Sequence, residues 1–253
     1  MENPFFKILQ YSVKHMGRLS RFEIAQMIDV SAVQANSTAE EVQNVIALAC
    51  EFDCIAVYAL GEQTRDIFKT LPAINQQRLA EGKPKVKIGG VAGFPDGGVM
   101  TSVKAYEAAQ MVELGCDEID MVMNVGLALS GQWDHVGADI AAVKQAIGSV
   151  PLKVILECGY LNDDQIAQAA ITAADAGADW VKSGTGWTEK KTSVHTIEVM
   201  KQAVGDRCLV KAAGGVRDLD TLLAMYDVGA RRFGIGVRTA RAILEAAAAQ
   251  EKQ

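Results

Sequence analysis

The sequence predicts an α/β protein, a single (β/α)8 TIM barrel preceded by an N-terminal helical extension. Short apolar runs alternate with longer amphipathic segments almost from end to end of the chain, as expected of repeated βα units. Eight such runs occur, and 253 residues is a length that an α/β barrel commonly needs. Because no proline-rich or low-complexity linker divides the chain, we expect one domain over residues 1–253.

The elements are assigned in chain order. The N-terminal extension covers residues 1–26, with a helical stretch from about Phe5 to Gln26. The eight predicted strands are Met27–Ser31, Cys54–Leu60, Val86–Ala92, Glu118–Met123, Leu152–Glu157, Trp180–Lys182, Cys208–Lys211 and Arg232–Gly234. One segment, Leu71–Lys85, has no clear pattern and is interpreted as an irregular excursion within a βα unit.

Helix start and stop signals lie between the predicted strands. Polar residues that favour helix N-termini precede three amphipathic segments, at Ser37-Thr38, Asn162 and Asp218. Glycine tolerates the left-handed conformation that often ends a helix, and it follows three helical patterns, at Gly115, Gly177 and Gly229. These signals support helices, rather than loops, as the connections between strands.

Charge and hydropathy exclude several function classes. The net charge of -6 argues against binding nucleic acid, which requires clustered lysine and arginine. The N-terminus does not have the basic and apolar regions of a signal peptide, and no apolar run approaches the length of about 18 residues that a membrane span requires. We therefore expect a cytoplasmic protein with no nucleic-acid or membrane partner.

The cysteines and histidines give no sign of a metal site. The five cysteines are scattered through predicted helices and strands, and we expect them to be reduced thiols. Cys50 and Cys54 have the spacing of a metal pair, but no second pair lies nearby. The three histidines, at positions 15, 135 and 195, are interpreted as surface residues. We expect neither a metal nor a cofactor.

Two lysines are the leading candidates for chemistry, because the C-terminal ends of barrel strands form the active site. Lys182 and Lys211 each follow apolar residues of a predicted strand and precede small residues. Burial disfavours an ammonium group, and a second cation nearby disfavours it further, so one lysine can make the other a neutral nucleophile near pH 7. The alternative is that each lysine extends into solvent or pairs with a surface carboxylate.

Further candidates surround this pair. Asp120 on the fourth strand can carry protons, and Glu157 has at most a supporting role. Trp187 is interpreted mainly as a packing residue. Glycine turns after the last three strands can bind a phosphate through backbone N–H groups, although tight turns alone also select glycine. The candidate binding residues in these turns are Gly184, Gly186, Gly214, Gly215, Gly234, Gly236 and Arg238.

Taken in order and spacing, these segments resemble the deoxyribose-phosphate aldolase family, class I aldolases built as α/β barrels. The resemblance extends from about residue 27 to residue 245. The matching segments are Gly-Phe-Pro-Asp-Gly (93–97), Asp-Glu-Ile-Asp-Met-Val (117–122), Lys-Val-Ile-Leu-Glu-Cys-Gly (153–159), Trp-Val-Lys-Ser-Gly-Thr-Gly (180–186), Lys-Ala-Ala-Gly-Gly-Val-Arg (211–217) and Arg-Phe-Gly (232–234).

The resemblance implies a reaction and a role for each matching residue. Lys182 matches the lysine that forms a Schiff base, Lys211 the lysine that perturbs it, and Asp120 the aspartate of the proton relay. The implied reaction is the reversible cleavage of 2-deoxy-D-ribose 5-phosphate to D-glyceraldehyde 3-phosphate and acetaldehyde. A metal is not needed, because the protonated imine is the electron sink. The expected partners are a small sugar phosphate and, as for many barrel enzymes, further copies of the chain.

The chain departs from the family pattern at substrate contacts. Gly234-Ile-Gly-Val-Arg238 replaces a serine-containing phosphate turn, and Asp29-Val-Ser31, with Asp29 as a binding candidate, replaces Asp-His-Thr. Ala56-Val-Tyr58-Ala59 replaces a cysteine and asparagine-proline pattern, and residues 250–253 contain no tyrosine.

Two alternatives to deoxyribose phosphate cleavage therefore stay open. One is a divergent aldolase that cleaves a different hydroxy carbonyl compound, unphosphorylated or carboxylated, by the same imine chemistry. The other is a catalytically silent barrel that binds a sugar phosphate. The presence together of Asp120, Lys182 and Lys211 argues against the second.

Overall fold

The chain folds into a closed barrel of eight parallel strands. The computed structural model describes residues 19–252, and within them each strand pairs with its neighbours in chain order. The eighth strand pairs with the first, where Asp29 lies opposite Gly234. Helices connect the strands, so the predicted (β/α)8 barrel is confirmed.

The strands are β1 Ile28–Ala32, β2 Ala56–Ala59, β3 Lys87–Ala92, β4 Glu118–Val122, β5 Leu152–Ile155, β6 Trp180–Lys182, β7 Leu209–Ala213 and β8 Ala230–Gly236. The α-helices are α1 Arg21–Ala25, α2 Ala39–Phe52, α3 Thr64–Ala80, α4 Thr101–Leu114, α5 Val125–Leu129, α6 Trp133–Ile147, α7 Asp163–Asp175, α8 Val194–Val204, α9 Leu219–Asp227 and α10 Val237–Gln250. Within residues 19–252, no helix is both long and apolar enough to cross a membrane.

The predicted helix signals are confirmed where the structure describes them. Thr38 and Asn162 each form a capping box, and Asp218 accepts a hydrogen bond from the backbone of Thr221. The predicted terminal glycines all have positive φ; they are Gly115, Gly177 and Gly229. Of the predicted N-terminal helical stretch, α1 is observed, and the part before residue 19 lies outside the described residues.

The prediction of an irregular segment at Leu71–Lys85 is wrong, because α3 continues through Pro72 to Ala80. The buried face of α3 includes Ile67, Leu71, Asn75 and Arg78, which recur at helical spacing. Two of these are polar; both bond backbone groups, and Arg78 also pairs with the carboxylate of Asp53 at 2.7 Å. Asn75 bonds both the N–H and the carbonyl of Val86, whereas the guanidinium of Arg78 donates to the Cys50 carbonyl. A partly polar buried face escapes a search for hydrophobic periodicity.

Several predicted strand bounds are also wrong. The second strand is shorter than predicted, and β5 ends at Ile155 instead of at Glu157, whose backbone has a φ of 52°. Strand β7 continues to Ala213, although its lysine was expected to end it. A charged side chain need not end a strand when opposite charges inside the barrel compensate it, as they do for Lys211.

The two faces of the barrel strands carry different kinds of buried side chain. Outward-facing residues such as Ile119, Val154 and Val181 pack in one hydrophobic cluster with the surrounding helices. The barrel interior holds charged side chains instead of the branched apolar residues that usually fill it. These buried residues are Asp29, Glu118, Asp120, Lys153, Lys182, Lys211 and Arg232.

The predictions for cysteine and histidine can be checked for most positions. All five cysteines are free thiols, four of them buried and Cys50 partly buried. His135 and His195 are exposed, as expected, and position 15 lies outside the described residues.

Candidate active site

Lys182 and Lys211 lie side by side in the barrel interior. They are register partners on the adjacent strands β6 and β7, as the sequence predicted. Their ammonium groups share one acceptor, because Asp120 Oδ2 lies 2.8 Å from Lys182 Nζ and 2.7 Å from Lys211 Nζ. The alternative in which these lysines extend into solvent is wrong for both, since Lys182 is 8% exposed and Lys211 is 1% exposed.

The two lysines have opposite pKa shifts. Burial, together with the nearby charge of Lys211, lowers the pKa of Lys182 to about 8 in spite of its contact with Asp120. Burial also acts on Lys211, but the charges of Asp120 and Asp29 outweigh it and raise the pKa of that lysine above its usual value. Lys182 is therefore the amine that becomes neutral near physiological pH, whereas Lys211 stays charged.

Asp120 is an anion held by three lysines. Its Oδ1 atom accepts a hydrogen bond from Lys153 Nζ at 3.1 Å, in addition to the two bonds made by Oδ2. Burial would raise the pKa of Asp120, but the charges of Lys153, Lys182 and Lys211 hold it well below its usual value. The carboxylate is ionised and fixed at the point where Lys182 reaches the cavity.

A closed ring of alternating charges extends from Asp120 through the barrel. In order, its members are Asp120, Lys211, Asp29, Arg232, Glu118 and Lys153, which returns to Asp120. We refer to these six residues as the charge ring. Each contact between neighbouring members measures between 2.6 and 3.1 Å. Three carboxylates alternate with three cations, and Lys182 joins the charge ring at Asp120 as a seventh charge.

Tyr58 bridges two neighbouring members of the charge ring. Its hydroxyl donates to Glu118 Oε1 at 2.6 Å and accepts from Lys153 Nζ at 2.6 Å. Lys211 Nζ lies 4.5 Å from the centre of the tyrosine ring, a distance typical of a cation–π contact. Burial and the neighbouring carboxylates raise the pKa of Tyr58 well above its usual value, so the hydroxyl keeps its proton.

Sequence reasoning missed Lys153, Glu118 and Arg232 as parts of the site. A signal for them existed, because charged residues recur at inward positions of otherwise apolar strands, for example Glu118 and Asp120 two residues apart. Only the closure of the barrel shows that these charges meet. Tyr58 had been noted solely as a departure from the family pattern.

A cavity of about 570 Å³ opens above the lysines. Seven of the eight predicted binding residues line this cavity or the small space of about 40 Å³ beneath it. Asp29 lines the lower space, and the six that line the upper cavity are Gly186, Gly214, Gly215, Gly234, Gly236 and Arg238. The opposite wall comes from β1, α2 and the connection between them, and includes Gln34, Ser37, Glu41 and Asn44.

The upper cavity suits an anion at one end. Helix α10 begins there at Val237, after Gly236, so no N-cap side chain covers its first N–H groups. Among the residues within 19–252 that line the cavity, Arg238 is the single cationic side chain and Glu41 is the single acidic one. The glycines also allow the turns to pack closely, since a Cβ atom at Gly215 would lie 2.2 Å from the carbonyl oxygen of Thr192.

Glu157 holds the turn that follows Lys182. The backbone N–H of Thr185 donates to Glu157 Oε1 at 3.1 Å, and the Thr185 hydroxyl donates to Oε2. The remaining predicted binding residue, Gly184, does not line the cavity; a Cβ atom at that position would lie 2.8 Å from Glu157 Oε1. Burial raises the pKa of Glu157 despite the hydrogen bonds from Thr185.

An aromatic pair lies beside the lower space. Phe94 lines the lower space, and its ring meets Trp187 edge-on with the ring centres 6.0 Å apart. The indole N–H of Trp187 donates to the carbonyl of Val33 at 2.9 Å, which joins the segments after β1 and β6. The expectation that Trp187 serves packing agrees with these contacts.

Fold and site together describe a (β/α)8 barrel with two buried lysines on neighbouring strands, beneath an open cavity. The chain belongs to the DeoC/LacD family of aldolases, whose sequence profile matches residues 24–246. It is therefore a carbon–carbon lyase, and the resemblance noted in the sequence is confirmed.

Known relatives share both sequence and fold with this chain. The deoxyribose-phosphate aldolase of Klebsiella pneumoniae subsp. pneumoniae is 40% identical over 211 residues, which is 83% of this chain and 82% of the relative. The solved structure of the aldolase QR15 is 30% identical with a TM-score of 0.78 and covers 90% of this chain and 97% of its own. The deoxyribose phosphate aldolase of Aeropyrum pernix, described as a unique tetrameric structure, is 26% identical with a TM-score of 0.76 and covers 94% and 96%.

Proposed function

We propose that this protein is a class I aldolase that cleaves 2-deoxy-D-ribose 5-phosphate to D-glyceraldehyde 3-phosphate and acetaldehyde through a Schiff base on Lys182. The observation that carries the proposal is the shared contact of Lys182 and Lys211 with one oxygen of Asp120. Membership of the family and the reaction named for the Klebsiella relative support the choice of substrate.

A count of charges supports Lys182 as the nucleophile. The four cations Lys153, Lys182, Lys211 and Arg232 are joined to three carboxylates, so one cation lacks its own counter-charge. Lys182 contacts one carboxylate, whereas Lys211 contacts two, Asp29 and Asp120. The proton that is lost most readily is therefore the one on Lys182, which also lines the space beneath the cavity.

The proposed reaction begins when the neutral Lys182 Nζ adds to the substrate aldehyde. The resulting carbinolamine loses water, and the protonated imine withdraws electrons from the chain of the substrate. The C2–C3 bond then breaks as a base removes the proton of the C3 hydroxyl, which releases glyceraldehyde 3-phosphate. The enamine left on Lys182 takes a proton at C2, and water hydrolyses the imine to acetaldehyde and the free amine.

In this scheme Asp120 and Lys211 move protons and hold charge, and no metal is required. The ionised Asp120 accepts protons directly or through water during the carbinolamine step, because it lies 2.8 Å from the reacting nitrogen. Lys211 stays charged and, through its electrostatic effect, favours the neutral form of Lys182. The protonated imine supplies the electron sink that a metal ion supplies in other aldolases.

We propose that the phosphate group of the substrate occupies the upper cavity, at the start of α10 and near Arg238. The exposed N–H groups of the helix and the glycine turns support this placement. Glu41 on the opposite wall of the cavity favours a substrate that carries no phosphate at this end, because a carboxylate repels a phosphate dianion. An unphosphorylated hydroxy aldehyde is thus the second candidate substrate.

The physiological setting is proposed on the chemistry of the family and of the side chains. Five free thiols suit a reducing compartment, which supports a cytoplasmic enzyme. The tetrameric relative from Aeropyrum pernix supports a homo-oligomer.

Trapping with borohydride tests the proposed chemistry. Incubation with acetaldehyde, reduction and peptide mass mapping should give a stable adduct on Lys182. The variant Lys182→Met should give none there, and Lys190→Met, on the exposed segment after β6, serves as the control. An adduct on Lys211 would exchange the proposed roles, and no adduct with any aldehyde would contradict the imine mechanism.

A comparison of substrates tests the proposed phosphate site. Arg238→Ala should raise KM for deoxyribose 5-phosphate by about ten-fold, the loss of roughly 1.4 kcal/mol of binding, and leave KM for deoxyribose unchanged. If the wild-type protein cleaves deoxyribose more efficiently than its phosphate, the second candidate substrate is the correct one.

A further inference from the structure

The charge ring includes two residues that line neither the cavity nor the small space beneath it. Glu118 and Arg232 form its lower side, where Arg232 Nη2 lies 2.6 Å from Glu118 Oε1. Among the ion pairs found in residues 19–252, neither residue pairs with Lys182. Both are buried, at 1% and 4% exposure, so water screens their charges little. Their charges can therefore act on Lys182 across the barrel interior without contact, and the other members of the charge ring connect them to it.

We propose that Glu118 and Arg232 are positioning residues that set the protonation of Lys182 through the charge ring. This inference rests on the proposed role of Lys182 as the nucleophile. It assigns a function to buried charges that line neither the cavity nor the small space beneath it.

The connection runs along two arms. On one arm, Arg232 Nε lies 2.7 Å from Asp29 Oδ1, and Asp29 Oδ2 lies 2.6 Å from Lys211 Nζ. On the other arm, Glu118 Oε1 lies 2.7 Å from Lys153 Nζ, which lies 3.1 Å from Asp120 Oδ1. Both arms end at Asp120, the carboxylate that contacts Lys182. The charge ring is neutral as a whole. The loss of any one member therefore leaves a net charge, which changes the protonation equilibrium of Lys182.

The sign of the effect follows from the charge that is removed. Without the guanidinium of Arg232, the charge ring has an excess carboxylate, which favours the ammonium form of Lys182. Without the carboxylate of Glu118, the charge ring has an excess cation, which favours the neutral amine. Removal of both residues restores neutrality, and the two effects should cancel.

Other ionisable groups also face Lys182 and must stay unchanged in the test. Asp120 from β4 and Lys211 from β7 are the nearest, and Asp29 from β1 lies beyond Lys211. Glu157, which follows β5, interacts with Lys182 through its charge. Lys153 and Tyr58 complete the surroundings of Asp120. The single and double variants of Glu118 and Arg232 alter none of these residues.

A titration of Lys182 by NMR tests the proposal without any substrate. The chain is labelled with carbon-13 at lysine Cε, and the Lys182 resonance is assigned by its loss in Lys182→Met. Arg232→Gln should move the midpoint up and Glu118→Gln should move it down, each by about one pH unit, as expected of a charge on the order of 10 Å away at an effective dielectric constant of about 20. The double variant should return the midpoint to within about a third of a unit of the wild-type value.

Two further variants keep the test decisive if a single substitution prevents folding. Lys153→Gln removes another cation of the charge ring and should raise the midpoint, as Arg232→Gln does. Tyr58→Phe breaks hydrogen bonds to Glu118 and Lys153 without a change of charge and should move the midpoint much less. Circular dichroism and thermal unfolding confirm that each compared variant is folded.

The outcomes separate this inference from the proposed function. Shifts of opposite sign that cancel in the double variant support the inference, whereas shifts in one direction, or none, overturn it. The adduct found by borohydride trapping tests the proposed aldolase chemistry independently, because the titration requires no turnover. A structural role alone would lower stability in both single variants without moving the midpoint in opposite directions.

Discussion

The aromatic ring of Tyr58 occupies the space in which a side chain at Gly89 would lie. The two residues are register partners on β2 and β3, and a Cβ atom at position 89 would come within 2.0 Å of the tyrosine ring. Glycine at this position therefore lets Tyr58 lie inside the barrel, where its hydroxyl joins Glu118 and Lys153. The absence of a side chain at this position of β3 thus allows polar contacts between side chains of β2, β4 and β5.

Gly89→Ala should displace Tyr58 and weaken the whole site. We expect a loss of about 1–3 kcal/mol in the free energy of unfolding, as for other overpacked cores, and a larger fall in kcat than the loss of folded protein explains. Denaturant unfolding and steady-state kinetics measure the two effects. Gly61→Ala is the matched control, because nothing lies within 4 Å of a Cβ atom there. Wild-type activity in Gly89→Ala would show that Tyr58 has no part in catalysis.

The cleavage rate should increase with pH as Lys182 loses its proton. Because the pKa of Lys182 is lowered to about 8, the acid limb of kcat/KM should have its midpoint near that pH and approach a plateau above it. A pH profile with a substrate whose own charge is constant measures this midpoint. A limb centred near 10.5, the ordinary value for lysine, would contradict the lowered pKa.

Glu157→Gln should affect substrate binding more than the imine chemistry. Glutamine replaces one acceptor oxygen with an NH2 donor and removes the negative charge, so the hydrogen bonds from the backbone N–H and the hydroxyl of Thr185 must rearrange and weaken. The turn that leads to Gly186 should then loosen, and we expect a rise of about three- to ten-fold in KM with a smaller change in kcat. Glu189→Gln, an exposed change nearby in the chain, is the control. A fall in kcat alone would place Glu157 in the chemistry.

A fall in pH should lower the free energy of unfolding of the barrel, because Asp29 becomes protonated. Burial alone would raise the pKa of Asp29, but the charges of Arg232, Lys211 and Lys153 lower it to about 2, below its ordinary value of 3.8. A lowered pKa stabilises the folded state above pH 4, and this stabilisation is lost as the pH falls from about 4 to about 2. Its size is on the order of 2 kcal/mol. Urea unfolding of the wild type and of Asp29→Asn over this range should give curves that converge at low pH.

Much of the fold follows from local features of the sequence. The alternation of short apolar runs with capped helices predicts the barrel, and the apolar runs locate all eight strands to within a few residues. The boundaries of helices and strands were predicted wrongly where polar residues are buried. Helix α3 was missed because Asn75 and Arg78 lie on its inner face, and β7 was predicted too short because Lys211 was expected to end it.

The sequence by itself determined the barrel and identified Lys182, Lys211 and Asp120, because these residues stand in short strands with recognisable periodicity and in segments that resemble a known family. It could not determine that Glu118, Lys153 and Arg232, from three separate strands, join Asp29 in one charge ring. That arrangement depends on which side chains point inward and on the closure of β8 against β1, both of which are tertiary properties. The sequence assigned the nucleophile to Lys182 only through the family resemblance. Electrostatic interactions depend on distance and burial, so the physical reason, the opposite pKa shifts of Lys182 and Lys211, required the folded structure.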